Sequence, residues 1–208
     1  TSNAYRMWFQ HMDINRIPFY QYNTIIVGTG AAGLNAAVTL HKLGQKNIAL
    51  ITEGRYMGTS RNTGSDKQTY YKLTQCGSEP DSVRKMAETL FDGGCVDGDI
   101  AMAEAAGSLR AFYHLVDIGV PFPFNKSGEY VGYKTDHDPL KRAISAGPLT
   151  SKYMTECLER QAEERGIPFF DGYQAVRLLT EEKNGEKWAA GIIALNKRKA
   201  ASADERYA

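Results

Sequence analysis

The chain has 208 residues, a formal net charge of +1 and 42% hydrophobic residues. This length predicts one domain, or one domain and a smaller piece, and the hydrophobic content is too high for a disordered chain. The near-zero charge gives no indication of nucleic-acid binding, and no apolar run approaches the roughly 18 residues of a membrane-spanning helix.

The three cysteines, Cys76, Cys95 and Cys157, have no paired spacing. An odd number without a C-x-x-C motif argues against a disulfide framework and a zinc site, so we expect isolated thiols in a reducing compartment. Residues 1–22 have no apolar region or cleavage pattern of a secretory signal, and we interpret them as an N-terminal arm that begins with a cloning remnant. We therefore expect a cytoplasmic protein whose fold lies in residues 23–208.

Residues 24–53 have the pattern of a strand, a tight turn, a helix and a second strand. The runs TIIV (residues 24–27) and IALIT (residues 48–52) predict buried strands. Between them, apolar residues at helical spacing end at Gly44, which is typical of a helix C-terminus. The segment has about the 30 residues of one βαβ unit, so we predict an α/β fold with a Rossmann-type parallel sheet.

The turn of this unit carries the motif G-x-G-x-x-G as Gly28, Gly30 and Gly33. The motif indicates dinucleotide binding when a strand precedes it, a helix follows it and an acidic residue lies about 20 positions further on. Glu53 meets the last condition. Gly28 would permit the sharp turn, Gly30 would let a pyrophosphate approach the backbone, and Gly33 would let the helix pack closely.

The motif alone leaves the ligand open between FAD and NAD. N–H groups at the helix N-terminus, which includes Ala31 and Ala32, would bind the phosphates. Glu53 would accept hydrogen bonds from a ribose 2′-hydroxyl and would repel a 2′-phosphate, which disfavours NADP. A structural glycine turn without a ligand is the alternative.

The remaining pattern predicts a long loop, three helices and a small β-meander. The loop covers residues 54–77 and includes a helical turn near residues 67–73. The predicted helices begin at Ser78–Asp81, near Asp99 and at Thr150 or Ser151, and end at Gly93–Gly94, Gly119 and Gly166. The middle helix has a predicted apolar face of Ala105, Leu109, Phe112, Tyr113 and Val116. Strands are predicted over residues 167–170, 175–180 and 188–195, with a hairpin turn at Asn184–Gly185.

Two segments resemble flavoproteins of the succinate dehydrogenase/fumarate reductase family, which includes L-aspartate oxidase. After Glu53 and Gly54, the stretch GTSRNTGS (residues 58–65) resembles the family pattern G-[GT]-S-x-x-[SA]-x-G-G. Residues 141–179 are also similar, with Arg142, Ala146 and Thr150 at corresponding positions. The resemblance covers residues 22–208, and its first segment favours a flavin over a nicotinamide.

The resemblance implies a role for each matching segment. The glycine turn would hold the FAD pyrophosphate, Glu53 the adenosine ribose, and backbone at Ala175 would lie near the adenine. The loop beside the flavin would bond its N5 and O4 atoms through Thr59, Ser60, Thr63, Gly64 and Ser65. Substrate contacts would come from His137 and Thr150. No metal site is expected.

Two departures from the family are visible. Arg61 stands where some members carry a histidine that binds FAD covalently, so we expect non-covalent FAD. Nothing matches the family's later strand with an Ala-Thr-Gly-Gly-like motif, or the capping domain with its proton-donating arginine. We therefore expect the N-terminal part of a longer flavoprotein, with unknown catalytic residues, that is inactive alone.

Other polar groups have simpler interpretations. We expect Asp136 and Asp138 to be solvated, and Lys197–Lys199 to form a solvated turn. The aromatic pairs Tyr70–Tyr71 and Phe169–Phe170 are expected to pack internally.

The predicted function is hydride transfer between flavin N5 and a small dicarboxylate-like substrate of the fumarate/succinate type. Electrons would pass to a partner protein, a quinone, a haem or oxygen. The alternatives are a non-catalytic nucleotide-binding module and an NAD-dependent dehydrogenase domain.

Overall fold

A computed structural model of the protein describes residues 17–65, 68–76 and 79–199. Most of the predicted N-terminal arm, residues 1–16, lies outside the described residues, as does the chain from residue 200 onward. The chain divides into two compact units. Within the described residues, the first unit comprises residues 17–59 and 161–199, and the second comprises residues 60–160.

The first unit contains a parallel sheet of three strands. β1 (Thr24–Val27) pairs with β2 (Ile48–Thr52), and β2 pairs with a later strand, β5 (Phe169–Asp171). α1 (Ala31–Lys42) connects β1 to β2 and buries Leu34, Ala37 and Val38. Ile48 to Ile51 are also buried, as expected for a strand that is covered on both faces. The predicted α/β class and both strands of the βαβ unit are confirmed.

A long antiparallel hairpin completes the first unit. β6 (Tyr173–Lys183) and β7 (Glu186–Asn196) pair in sequence around a two-residue turn. Asn184 and Gly185 have φ values of 54° and 80°, the left-handed pair that a type I′ turn requires. The Asn-Gly prediction is confirmed, and the predicted meander corresponds in the described residues to this two-stranded hairpin.

The second unit is mainly helical. It contains part of α2 (Thr59–Asn62), then α3 (Val83–Asp92), α4 (Gly98–Asp117) and most of α5 (Thr150–Glu164). A small antiparallel ladder pairs β3 (Tyr70–Tyr71) with β4 (Ala143–Ile144). Its core has one cluster between α3 and α4, around Met86, Ala101 and Ala105. A second cluster is aromatic and centres on Phe112, which contacts Tyr70, Phe122 and Tyr130.

Several local predictions in this unit are wrong. The helical turn expected near residues 67–73 is replaced by β3, because Tyr70 and Tyr71 pair with β4. α3 begins at Val83 and not at residues 78–81, because Ser82 caps it with a hydrogen bond from the Lys85 N–H. The short helix α2 was not expected.

The buried face of α4 also differs from the predicted one. It consists of Ala101, Ala105, Ser108, Phe112 and Leu115, whereas Tyr113 is 40% exposed. Ser108 is polar, so a pattern of apolar residues could not predict its burial. It can be buried because its hydroxyl donates a hydrogen bond to the Ala105 carbonyl.

Candidate dinucleotide site

The glycine turn between β1 and α1 has the geometry that the motif predicts. Gly28 has a φ of 102°, in the left-handed region that favours glycine, and its N–H donates to the Ile51 carbonyl at 2.8 Å. A Cβ on Gly33 would lie 2.2 Å from the Gly28 carbonyl oxygen, which is far inside contact distance. The first turn of α1 is thus held directly against the loop that enters it.

The N-terminus of α1 begins at this turn. Gly30 is the N-cap, in an extended conformation without a side-chain cap, and Ala31 and Ala32 are the first helical residues. No acidic residue lies in the first turn, so no carboxylate there offsets the positive end of the helix dipole. This end of α1 has the electrostatic character that suits a phosphate.

The carboxyl ends of β1 and β2 and the start of β6 enclose a cavity of about 360 Å³. The cavity brings together four of the predicted residues, namely Gly28, Glu53, Gly54 and Ala175. It lies outside the carboxyl ends of parallel strands, where ligands of α/β sheets bind. Gly58, the first residue of the family-like stretch, also lines the cavity, as do Met57 and Tyr173, which the sequence did not indicate.

Glu53 forms an ion pair that the sequence did not predict. Its Oε2 atom lies 2.9 Å from the Nζ atom of Lys197, and both side chains are about half exposed. The neighbouring Arg198 contacts Asp171, at the carboxyl end of β5. Residues 197–199 are exposed and form a turn, as the sequence predicted, and Lys197 and Arg198 also make these two ion pairs.

The segment predicted to contact the flavin begins in α2 and continues as an exposed loop. Arg61 contacts Glu159 and lies 3.3 Å from Glu156, so its guanidinium interacts with α5. Gln68 donates to the Thr63 carbonyl at 3.3 Å and accepts from the Ser151 N–H at 3.1 Å. The Ser65 N–H donates to the Pro148 carbonyl.

Of the residues predicted to contact the flavin, Thr63 and Ser65 are therefore held through their backbone, and Gly64 lies between them. The contacts just described lie within the second unit and fix residues 61–65 relative to the start of α5. Whether Thr59, Ser60, Thr63, Gly64 and Ser65 contact a flavin stays a prediction.

The two predicted substrate residues have different surroundings. Thr150 is buried, and its hydroxyl donates to the Gly147 carbonyl at 2.6 Å and accepts from the Ala146 N–H. His137 is exposed and lines a second cavity of about 530 Å³ together with Thr89, Asp92, Gly93 and Pro139. The role of both side chains as substrate contacts stays a prediction.

Arg142 forms a buried polar network in the second unit. Its guanidinium donates to both carboxylate oxygens of Asp81, at 2.7 and 2.9 Å, to Asp138 at 3.3 Å and to the Thr89 hydroxyl at 2.9 Å. The Tyr71 hydroxyl also accepts from Arg142 and donates to Asp138. The expectation of a solvated Asp138 is wrong, because it is a partner of a buried arginine.

This network changes the ionisation of its members. Burial alone would raise the pKa of Asp81, but hydrogen bonds from Arg142 and from the backbone of Thr74 and Ser82 outweigh it and lower that pKa. Burial, together with the hydrogen bond to Asp138, raises the pKa of Tyr71 to about 12. The arrangement resembles a structural support more than a reactive centre, because each charged group has an opposite partner.

Residues 17–65, 68–76 and 79–199 contain neither a candidate metal centre nor a candidate membrane-spanning helix. In these ranges no three acidic, histidine or cysteine side chains lie together in a way that could hold a metal ion. No helix that the structure describes is long and apolar enough to cross a membrane.

Comparison with known proteins agrees with the geometry. The family model described as "FAD binding domain" matches residues 23–207. L-aspartate oxidase of Pseudomonas aeruginosa is 27% identical over 190 residues, which cover 86% of this chain and 34% of that protein. L-aspartate oxidase of Agrobacterium fabrum is 28% identical over 166 residues, which cover 76% of this chain and 30% of that protein.

The fold is shared with solved flavoproteins. FrdA of E. coli quinol fumarate reductase superposes with a TM-score of 0.71 at 20% identity, over 85% of this chain and 29% of that chain. This chain spans about one third of the length of the curated relatives that it matches.

Proposed function

Because the chain belongs to the family of FAD binding domains, in the succinate dehydrogenase/fumarate reductase group of flavoproteins, we propose that it is the FAD-binding part of an oxidoreductase that transfers a hydride between flavin N5 and a small dicarboxylate-like substrate. The observation that carries the proposal is a single cavity lined by both Gly28 and Glu53. It places the glycine turn that leads into the N-terminus of α1 beside a carboxylate suited to a ribose.

The proposal assigns each half of the cofactor to particular residues. N–H groups at the start of α1 would bind the pyrophosphate, Glu53 would bind the adenosine ribose, and backbone at Ala175 would lie near the adenine. Bound FAD would supply the hydride chemistry at N5, and the protein would supply orientation and electrostatics. The flavin-ring contacts proposed for Thr59, Ser60, Thr63, Gly64 and Ser65 are supported by the family pattern.

We propose that FAD is held without a covalent bond. Arg61 follows Ser60 where some family members carry a histidine, and a guanidinium is not a nucleophile at neutral pH. Its contacts with Glu156 and Glu159 on α5 give it a structural role instead. Unfolding should therefore release all of the flavin.

The substrate class and the electron partner are proposals that rest on the relatives. L-aspartate and fumarate, which appear in the names of the relatives, are both small dicarboxylates. His137 and Thr150 are proposed substrate contacts, by family position alone. A quinone or a partner protein would exchange electrons with the flavin, in a cytoplasmic setting, and no residue of this chain is assigned as the general acid.

Binding to the purified chain tests the proposal. After removal of any bound flavin, FAD, ADP, FMN and NAD are each titrated by calorimetry, and the FAD mixture is then passed through a gel-filtration column. We expect FAD and ADP to bind, FMN to bind far more weakly, and the flavin absorbance to elute with the protein. Preferential binding of NAD would favour a dehydrogenase domain, and binding of ADP but not FAD would favour a nucleotide-binding module.

A matched pair of variants locates the site. Glu53→Gln should weaken binding of both FAD and ADP about tenfold or more, since a charge-assisted hydrogen bond to the ribose is lost. Glu182→Gln removes an exposed carboxylate from the hairpin, away from the cavity, and should leave both affinities unchanged. Equal effects of the two substitutions would contradict the assignment of Glu53.

A further inference from the structure

We propose that Lys197 is a positioning residue for the Glu53 carboxylate, and that it sets the affinity of the cavity for the adenosine diphosphate half of FAD. The proposal rests on the proposed FAD binding and goes beyond it. The carboxylate that receives the ribose would act as one half of an ion pair, and the exit of the hairpin would supply the other half.

The two partners come from distant parts of the chain. Glu53 follows β2, Lys197 follows β7, and the Nζ–Oε2 distance is 2.9 Å. Only Oε2 is in this contact, so Oε1 keeps the capacity to accept a hydrogen bond from a ribose hydroxyl. Because the Lys197 ammonium binds Oε2, it fixes the direction in which Oε1 of Glu53 points.

The backbone of Lys197 is held in place, which distinguishes it from an ordinary surface lysine. Its N–H donates to the Gly172 carbonyl at 2.8 Å. The Asn196 side chain, which is only 8% exposed, accepts from the N–H groups of Arg198 at 3.0 Å and Lys199 at 3.3 Å. The backbone of the turn after β7 is therefore fixed, so pairing with Glu53 orders only the Lys197 side chain.

The second carboxylate at this edge has its own partners. Asp171, at the end of β5, accepts from the Arg55 N–H at 2.8 Å and contacts the Arg198 guanidinium. Lys197 and Arg198 thus pair with different carboxylates, one at the end of each of two neighbouring strands. This division assigns Lys197 to the carboxylate that lines the cavity.

Electrostatics gives the ion pair a function in binding. A pyrophosphate carries two negative charges, and a carboxylate in the same cavity would repel it. The turn itself, residues 28–34, contains no charged side chain. Lys197 offsets the charge of Glu53, so the ribose acceptor can be a carboxylate without weakening the binding of the phosphates.

The test measures ADP and FAD binding to Lys197→Met, Lys197→Arg and the control Lys199→Met. Lys199 is exposed and lies two residues away, so its substitution removes the same charge from the same turn. We expect Lys197→Met to weaken both ligands about fivefold at low salt, the size that a partly exposed charge pair supports. Lys197→Arg should restore most of the affinity, and Lys199→Met should match the wild-type chain.

A double-mutant cycle separates this role from a structural one. In a Glu53→Gln background, Lys197→Met should cost less than twofold, because the carboxylate that it compensates is gone. The fivefold effect in the wild-type background should also shrink as salt rises from low concentration to 0.5 M. Equal unfolding temperatures of the variants would show that the fold is intact.

Two results overturn the inference while the proposed function stands. In the first, the wild-type chain binds FAD and the Lys197→Met variant binds it with the same affinity. The other is the same loss from Lys197→Met in both Glu53 backgrounds. A wild-type chain that binds neither FAD nor ADP would instead overturn the proposed function itself.

Discussion

Gly33 and Gly107 are both glycines inside helices, yet the space around them differs. A Cβ on Gly33 would meet the Gly28 carbonyl oxygen at 2.2 Å, whereas nothing lies within 4 Å of a Cβ on Gly107. Gly33→Ala should destabilise the chain by about 1–3 kcal/mol, because backbone must move to admit the methyl group. Gly107→Ala should stabilise it by about 0.5–1 kcal/mol, because alanine is the better helix former.

Urea denaturation of the two variants measures these changes. Gly33→Ala should also weaken ADP binding, since it displaces the turn that receives the pyrophosphate. Similar stability changes of the same sign at both positions would show that the close approach in the turn carries no cost.

The burial of Tyr70 leads us to expect that the free energy of unfolding decreases at alkaline pH. Burial, and secondarily the negative charge of Glu104, raises the pKa of Tyr70 to about 12, above its usual value of 10. Below pH 10 the phenol is neutral in both states, but between pH 10 and 12 only the unfolded state releases the proton, so folding stability falls as pH rises. In Tyr70→Phe this contribution is absent.

Between pH 9 and pH 11, the free energy of unfolding of the wild-type chain should therefore fall relative to that of Tyr70→Phe. Urea denaturation at both pH values measures it, with Tyr133→Phe, at a 41% exposed tyrosine, as the control. The same movement in the control would mean that burial of Tyr70 is not its cause.

Single residues were predictable where their role depends on nearby sequence. Gly28, Gly33 and Glu53 belong to one βαβ unit, so the motif, the strand and the helix together indicated the turn and the carboxylate. Lys197 could not be found in this way, because 144 residues separate it from Glu53. Asp138 was misread for the same reason, since its burial depends on Arg142 and Tyr71 being brought together by β3 and β4.

At the scale of elements, the N-terminus of α3 offers a direct test. The Ser82 hydroxyl accepts from the Lys85 N–H at 3.2 Å and satisfies one of the donors that the first turn leaves open. Ser82→Ala should cost about 1 kcal/mol of folding stability, while Ser82→Thr should cost much less. Thermal unfolding followed by circular dichroism measures both. An equal loss in the two variants would indicate that the side-chain bond is not what stabilises this helix end.

The ends of strands and helices were predictable where local sequence signals, such as turn residues, mark them. β1 and β2 begin and end at the predicted residues, and the Asn-Gly turn joins β6 to β7 as expected. The start of α3 was misplaced because Pro80 and Asp81 look like a helix start, whereas Asp81 accepts hydrogen bonds from Thr74 and Arg142. A local pattern cannot show that a carboxylate is already engaged by a distant arginine.

At the scale of the whole molecule, the class of the fold followed from the sequence more readily than the division of the chain. The βαβ pattern and the family resemblance both predicted a parallel sheet. The chain nevertheless separates into a unit that contains that sheet and a mainly helical unit of residues 60–160. The helical unit has its own core, and its contacts, such as those of Met86 with α4, are set by packing that no motif records.

Ligand linkage provides a test on the whole chain. A ligand that binds only the folded state stabilises it by about 2.7 kcal/mol at a free concentration of 100 times its Kd. We therefore expect FAD and ADP to raise the unfolding temperature of the chain, and FMN at the same concentration to raise it much less. Each ligand should slow amide hydrogen exchange at residues 28–34, where the helix N-terminus faces the pyrophosphate in the proposed arrangement.

The two adenosine ligands should differ at one segment. If Ser60, Thr63 and Ser65 contact the flavin ring, FAD but not ADP slows exchange at residues 60–65, because only FAD carries the ring. Exchange at the α3–α4 cluster around Met86 serves as the internal reference, since these residues are buried by side chains of the second unit. Slowed exchange at residues 28–34 with no change at residues 60–65 would support the dinucleotide site. It would contradict the proposed flavin contacts of residues 60–65.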